Sequence, residues 1–131
     1  MKVIHVSGRR KQAIARATLR PGAGIVRINS KLLNTVSPKI YQMRIQEPIE
    51  IAGDRATGVN IDVVVKGGGI ASQADAARLA IARALVALDK DLQKEFLEYD
   101  RTLLIADIRM KETHKPNCHG KARSKRQKSY R

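Results

Sequence analysis

Between Val59 and Leu88 the apolar residues change their spacing once, and the change falls on three consecutive glycines. Val59, Ile61, Val63 and Val65 alternate with Asn60, Asp62 and Lys66, the pattern of a strand with one buried face. Val64 breaks the polar face, which predicts a central place in the sheet. After Gly67-Gly68-Gly69, the residues Ala74, Ala77, Ile81, Leu85 and Leu88 recur at helical spacing, with Leu79 and Val86 on a second stripe. A strand over Asn60–Lys66 feeding a helix over about Ser72–Leu88 demands a layered fold. The sheet covers one stripe of the helix, and a neighbouring helix, expected over Asp91–Tyr99, covers the other.

Upstream, Val3–Val6 reads as a short strand interrupted by Gly8-Arg9-Arg10-Lys11. Ala13, Ala15, Ala17 and Leu19 then form one face of a second strand. Pro21-Gly22-Ala23-Gly24 is a turn signal, so Ile25–Ile28 is expected to return as the partner strand of a hairpin. Ser37-Pro38 predicts a helix start, with Ser as N-cap and Pro at the first helical position, running to about Gln46; Pro48 follows, where a turn can restart. Leu103–Ile108 is the last apolar run. The fold class expected is α+β: a mixed β-sheet with helices packed on one face. Residues 1–112 form the globular domain and residues 113–131 a long, basic, extended tail, too poor in apolar residues to fold alone.

The charge is segregated along these parts. Ten Lys/Arg and no acid occupy Met1–Gln46; nine bases and all 12 acids occupy Glu47–Glu112; seven bases and no acid occupy Thr113–Arg131. The balances are +10, −3 and +7, which recover the net +14. Positive charge confined to both ends is the footprint of a polyanionic partner. No apolar run reaches the roughly 18–20 residues a bilayer span needs. No secretory signal is visible, and the tail has no Leu, Phe or Trp to insert in a membrane. Nucleic acid is therefore the expected partner. With three Tyr, one Phe and no Trp, binding by base stacking is disfavoured. The single cysteine, Cys118, allows no intrachain disulfide and fits a reducing cytoplasm.

Candidate chemistry is sparse. Gly67-Gly68-Gly69 before a helix can cradle a phosphate, but a tight turn needing positive φ explains it as well; it is neither a Walker loop nor a dinucleotide fingerprint. His114, Cys118 and His119 lack the fourth ligand of a structural zinc site. No Ser/His/Asp or paired-carboxylate pattern appears, so no enzyme activity, metal, cofactor or small-molecule substrate is expected. Phosphate contact is expected from Arg9, Arg10 and Lys11, with Arg16, Arg20 and Arg27 extending the patch along a strand. The tail adds Lys121, Arg123, Lys125 and Arg126 by counterion release.

The glycines also open a longer pattern: Gly67-Gly68-Gly69, Ser72-Gln73, Ala76, Ala80 and Ala82-Arg83-Ala84-Leu85, its spacing intact over nineteen positions. It resembles the signature of the small-subunit ribosomal protein nine family. Gly8-Arg9-Arg10-Lys11, Arg16-Ala17, Asp107-x-Arg109 and the basic end fit as well. Gln127-Lys128-Ser129-Tyr130-Arg131 is similar to archaeal and eukaryotic members, and the short N-terminus points to the archaeal side. The chain departs from bacterial members at Ser72, where they have Gly, and at Tyr130, where they have Lys. The resemblance implies a sheet with helices and a left-handed βαβ crossover. It implies a structural protein in the head of the small ribosomal subunit, bound to ribosomal RNA beside other ribosomal proteins. It brings Lys66, Gly67, Gly68, Gly69, Gln73, Arg83, Arg109 and Lys115 into the expected RNA-binding set. It also implies a tail reaching P-site tRNA through Lys128, Ser129 and Arg131. Two other readings share some features: a free architectural nucleic-acid binder, and a small kinase of the GHMP type, whose nucleotide-binding loop this chain lacks.

Overall fold

The computed structural model describes residues 2–118, 120–123 and 130–131. Among them the elements run β1 (Ile4–Arg10), β2 (Ala13–Pro21), β3 (Val26–Ile28), β4 (Lys31–Leu32), α1 (Lys39–Ala52), β5 (Val59–Lys66), α2 (Ile70–Leu88) and α3 (Leu92–Tyr99). Short 3-10 turns lie at Leu33–Thr35, Gly53–Ala56 and Arg101–Leu103. The fold is α+β, with a mixed sheet in the order β1-β2-β5-β3-β4. Alternation places Ala13, Ala15, Ala17 and Leu19 of β2 beside Val59, Ile61, Val63 and Val65 of β5 on one buried face. Helix α2 lies on that face against β1, β2 and β5.

β5 takes the central position that its two-sided apolar character predicts. That placement overturns the expected hairpin of β2 and β3: β5 lies between them, antiparallel to β2 and parallel to β3. The turn residues after β2 bond to β5 instead. Asn60 Oδ1 accepts the N–H groups of Ala23 (2.9 Å) and Ile25 (3.0 Å), and Gly22 N–H reaches the Gly58 carbonyl (3.0 Å). Periodicity reports which face a strand buries and is silent about its neighbour. The parallel link β3–α1–β5 is the crossover to which the resemblance assigns a left hand.

Three local expectations change. Gly8-Arg9-Arg10 does not interrupt the first strand; β1 runs through it, and the turn is Lys11-Gln12, with Lys11 at φ 51. Helix α1 begins at Lys39 with Pro38, not Ser37, at the N-cap, and it continues through Pro48 to Ala52. A proline inside a helix costs about 3 kcal/mol relative to Ala. Burial of Ile45, Pro48 and Ala52 in the core opposes that cost. The main helical neighbour of α2 is α1 rather than α3. Helix α3 is fastened by Leu92 and Phe96, both fully buried, each contributing about 1.5–3 kcal/mol of transfer energy.

Candidate nucleic-acid interface

The sheet face opposite the helices carries the first group of cations. Register sets them in rows across the strands: Arg9, Ile14 and Lys66; Ser7, Arg16 and Val64; His5, Thr18, Asp62 and Arg27; Arg20 and Asn60. Arg9, Arg16, Arg20 and Lys66 are exposed. Among the described residues, Asp62 is the one acid on any strand, and Arg27 lies 3.9 Å from it. Elsewhere on the face, His5 Nδ1 and Thr18 Oγ1 are 3.0 Å apart.

The second group gathers at the end of the sheet, where β5 turns into α2. Gly67 and Gly68 have φ of 78 and 65, which β-carbon-bearing residues avoid. A Cβ on Gly67 would lie 2.6 Å from the Gln12 carbonyl oxygen, and one on Gly68 3.0 Å from the Ala13 nitrogen. Both glycines therefore serve the tight turn and the close approach to β2. Gly69 has φ −101 and open space around it. Gln73 closes the turn, donating from Nε2 to the Gly67 carbonyl (3.1 Å). Beside the turn lies an open groove of about 900 Å³, walled by Arg9, Lys11, Arg109 and Lys111 and by Gly68, Gly69 and Ser72 at the start of α2. The first turn of α2 holds no acid, so its free N–H groups and the helix dipole favour an anion there. Arg9 belongs to both surfaces and joins them.

The other expected residues are spread differently. Arg10 shares the face of Ala13, points to the helix side, and pairs with Asp107 and, at 3.7 Å, with Asp75. Arg83 donates to the Leu104 carbonyl (3.0 Å) and to the Ser7 carbonyl (2.9 Å), a tie between α2, β1 and the segment after α3. Lys115 and Arg123 both meet Glu112, at 3.0 and 3.1 Å. Their hydrogen bonds hold the Glu112 carboxyl below its usual range. Lys121 and Arg131 are exposed. Lys125, Arg126, Lys128 and Ser129 lie outside the described residues. The sequence reading passed over Lys111, Ser72 and Gln12 as lining groups; the nearness of Lys111 to Arg109 was the available signal.

Among the described residues, no three His, Cys, Asp or Glu side chains converge to hold a metal. None of the described helices is long and apolar enough to cross a membrane.

The fold and its surfaces define a class: a small α+β protein with one layer of helices, whose bare sheet face and adjoining groove present cations suited to phosphates. The comparisons give the family. Residues 8–131 match the sequence profile described as Ribosomal protein S9/S16. Over 134 aligned residues spanning all of both chains, the sequence is 49% identical to "Small ribosomal subunit protein uS9" of Methanococcus maripaludis strain S2. It is 48% identical, again over the whole of both chains, to the protein of that name in Methanococcus vannielii. The chain belongs to the ribosomal protein S9/S16 family, and these relatives are archaeal.

Proposed function

We propose that this chain is a structural, non-catalytic protein of the small ribosomal subunit in the cytoplasm. It binds ribosomal RNA in the head, beside other ribosomal proteins, and extends its tail toward the anticodon stem-loop of P-site tRNA. One observation carries the RNA reading: Arg9 joins the cationic sheet face to the cationic groove, while among the described residues strand acids are reduced to Asp62. Such a surface follows a phosphate backbone by charge and shape. Most contacts to a double-stranded RNA helix carry no base readout, because its deep groove hides the base edges. The tail carries six Lys/Arg between Lys121 and Arg131, and its last positions, Lys128, Ser129 and Arg131, are those the family resemblance assigns to tRNA.

The test is incorporation. Wild-type chain should co-sediment with purified small subunits, and the triple variant Arg9→Glu/Lys11→Glu/Lys111→Glu should stay folded but remain at the top of the gradient. Chain lacking Lys128–Arg131 should enter subunits yet weaken P-site tRNA binding. A wild-type chain that binds isolated duplex DNA and never sediments with subunits would make it a free architectural binder. A truncated chain with unchanged tRNA affinity would remove the tRNA role.

A further inference from the structure

The segment after α3 has no regular secondary structure from Ala106 to Lys115, yet it is tied to the folded layers by two arginines. Arg83 of α2 takes the Leu104 carbonyl at its start, and Arg10 of β1 takes the Asp107 carboxylate. Asp107 is 19% exposed and does more than receive Arg10. Its oxygens also accept the Arg109 backbone N–H (2.8 Å), Nε (3.1 Å) and Nη2 (2.9 Å). Arg109 itself is 84% exposed and stands in the wall of the groove. An exposed pair two residues apart contributes little by itself. Here the same carboxylate also meets a strand, through Oδ2 and Arg10, so the pair sets where an outward cation stands. Beyond Arg109, Met110, Lys111 and Thr113 continue along the same groove.

We propose that Asp107 is a positioning residue. Anchored on Arg10, it holds Arg109 and the root of the C-terminal arm against the glycine-loop groove, so that arm and groove engage one continuous stretch of phosphate backbone. This rests on the RNA reading above and adds to it how the two cationic parts are brought into register.

The sign of one substitution tests it. Asp107→Asn removes a negative charge from a surface that faces RNA, so charge counting alone predicts tighter binding. Positioning predicts the reverse: affinity for a small-subunit ribosomal RNA transcript falls about tenfold, the scale of one charge-assisted hydrogen bond. The log–log salt slope should drop by about 1. Asp107→Glu should recover part of the loss. Glu112→Gln, which also removes a negative charge, should bind equally well or tighter. Asp107→Asn that binds as well as wild type, or better, overturns the positioning role alone. Wild-type protein that does not bind the transcript overturns the RNA reading and this proposal with it. If the Asn variant is too unstable to compare, the free wild-type protein decides by NMR. Arg109 Nε should be more ordered on the nanosecond scale than Nε of the exposed Arg20, and equal mobility of the two would sink the proposal.

Discussion

Gly8 fills a role that its place in a run of charges concealed. It lies on the helix-facing side of β1, and a Cβ there would overlap the Ala76 carbonyl and come within 2.7 Å of the Ala80 nitrogen. Backbone of α2 therefore rests directly on backbone of β1, with Ala76 and Ala80 keeping the helix side equally bare. Strand propensity favours Val over Gly; the contact forbids it. We expect Gly8→Val to lower stability by about 2–3 kcal/mol, read from urea denaturation, as overpacking against backbone that has no rotamer to change. Gly69→Ala, with nothing within 4 Å, should stay within about 0.5 kcal/mol of wild type. The three glycines that look alike in sequence are thus not equivalent, since Gly67 and Gly68 need positive φ and Gly69 does not.

Helices and strands here are joined by ion pairs as well as by packing. Arg44 of α1 meets Asp75 of α2 at 3.0 Å, and Arg78 of α2 meets Glu47 of α1 and, at 3.2 Å, Asp100 after α3. The Glu47 contact is ionic rather than an aligned hydrogen bond, and Arg78 Nε keeps no acceptor among the described residues. Burial works against ionisation of Asp100, but hydrogen bonds from Thr102 and Arg78 outweigh it, so its carboxyl titrates below the usual range. Asp107 is lowered much further, first by the Arg109 side chain, then by the Arg109 backbone N–H, with Arg10 adding to both. For a group whose folded value is depressed, the stabilisation is fully present above the unfolded value and is lost as pH falls toward the folded one. With an unfolded value of about 3.9 for Asp, the melting temperature should be insensitive to these groups from pH 8 to about 5 and fall below about pH 4. Thermal melts across that range check it, and Asp107→Asn should flatten the acid limb.

At the scale of the whole molecule, one cluster of acids lies far from the groove. The groove sits at the N-terminus of α2, while Arg55, Asp89 and Glu95 cluster near its far end, at 3.3 and 3.0 Å from one another's charged atoms. Nineteen helical residues separate the two ends by about 28 Å, several Debye lengths at physiological salt. Asp89 and Glu95 therefore do little to screen the cations of the groove. We expect binding to a small-subunit ribosomal RNA transcript to weaken steeply with salt, with a log–log slope of magnitude about 5 or more if roughly six to eight phosphates are neutralised. A nearly flat titration between low and moderate salt would contradict it.

Whatever a short window encodes can be read from the residues alone. Faces of β2 and β5 follow from alternation, α2 from its recurring Ala, Ile and Leu, and the expectation of a polyanionic partner from charges counted along the chain. The family pattern was legible for the same reason, because Gly67 to Leu85 keeps its spacing in one continuous stretch. Which strand lies beside which is set by contacts between distant segments. β5 enters between β2 and β3 through bonds such as Asn60 to Ala23, made across 37 positions. Contacts of the same kind separate Arg9, which faces outward, from Arg10 and Arg83, which are drawn into ties with Asp107 and with backbone carbonyls. They also carry α1 through Pro48, where packing offsets a local penalty. Local periodicity reports the direction of a side chain relative to its own backbone. Who meets that side chain depends on contacts between segments far apart in the chain, which no local window contains.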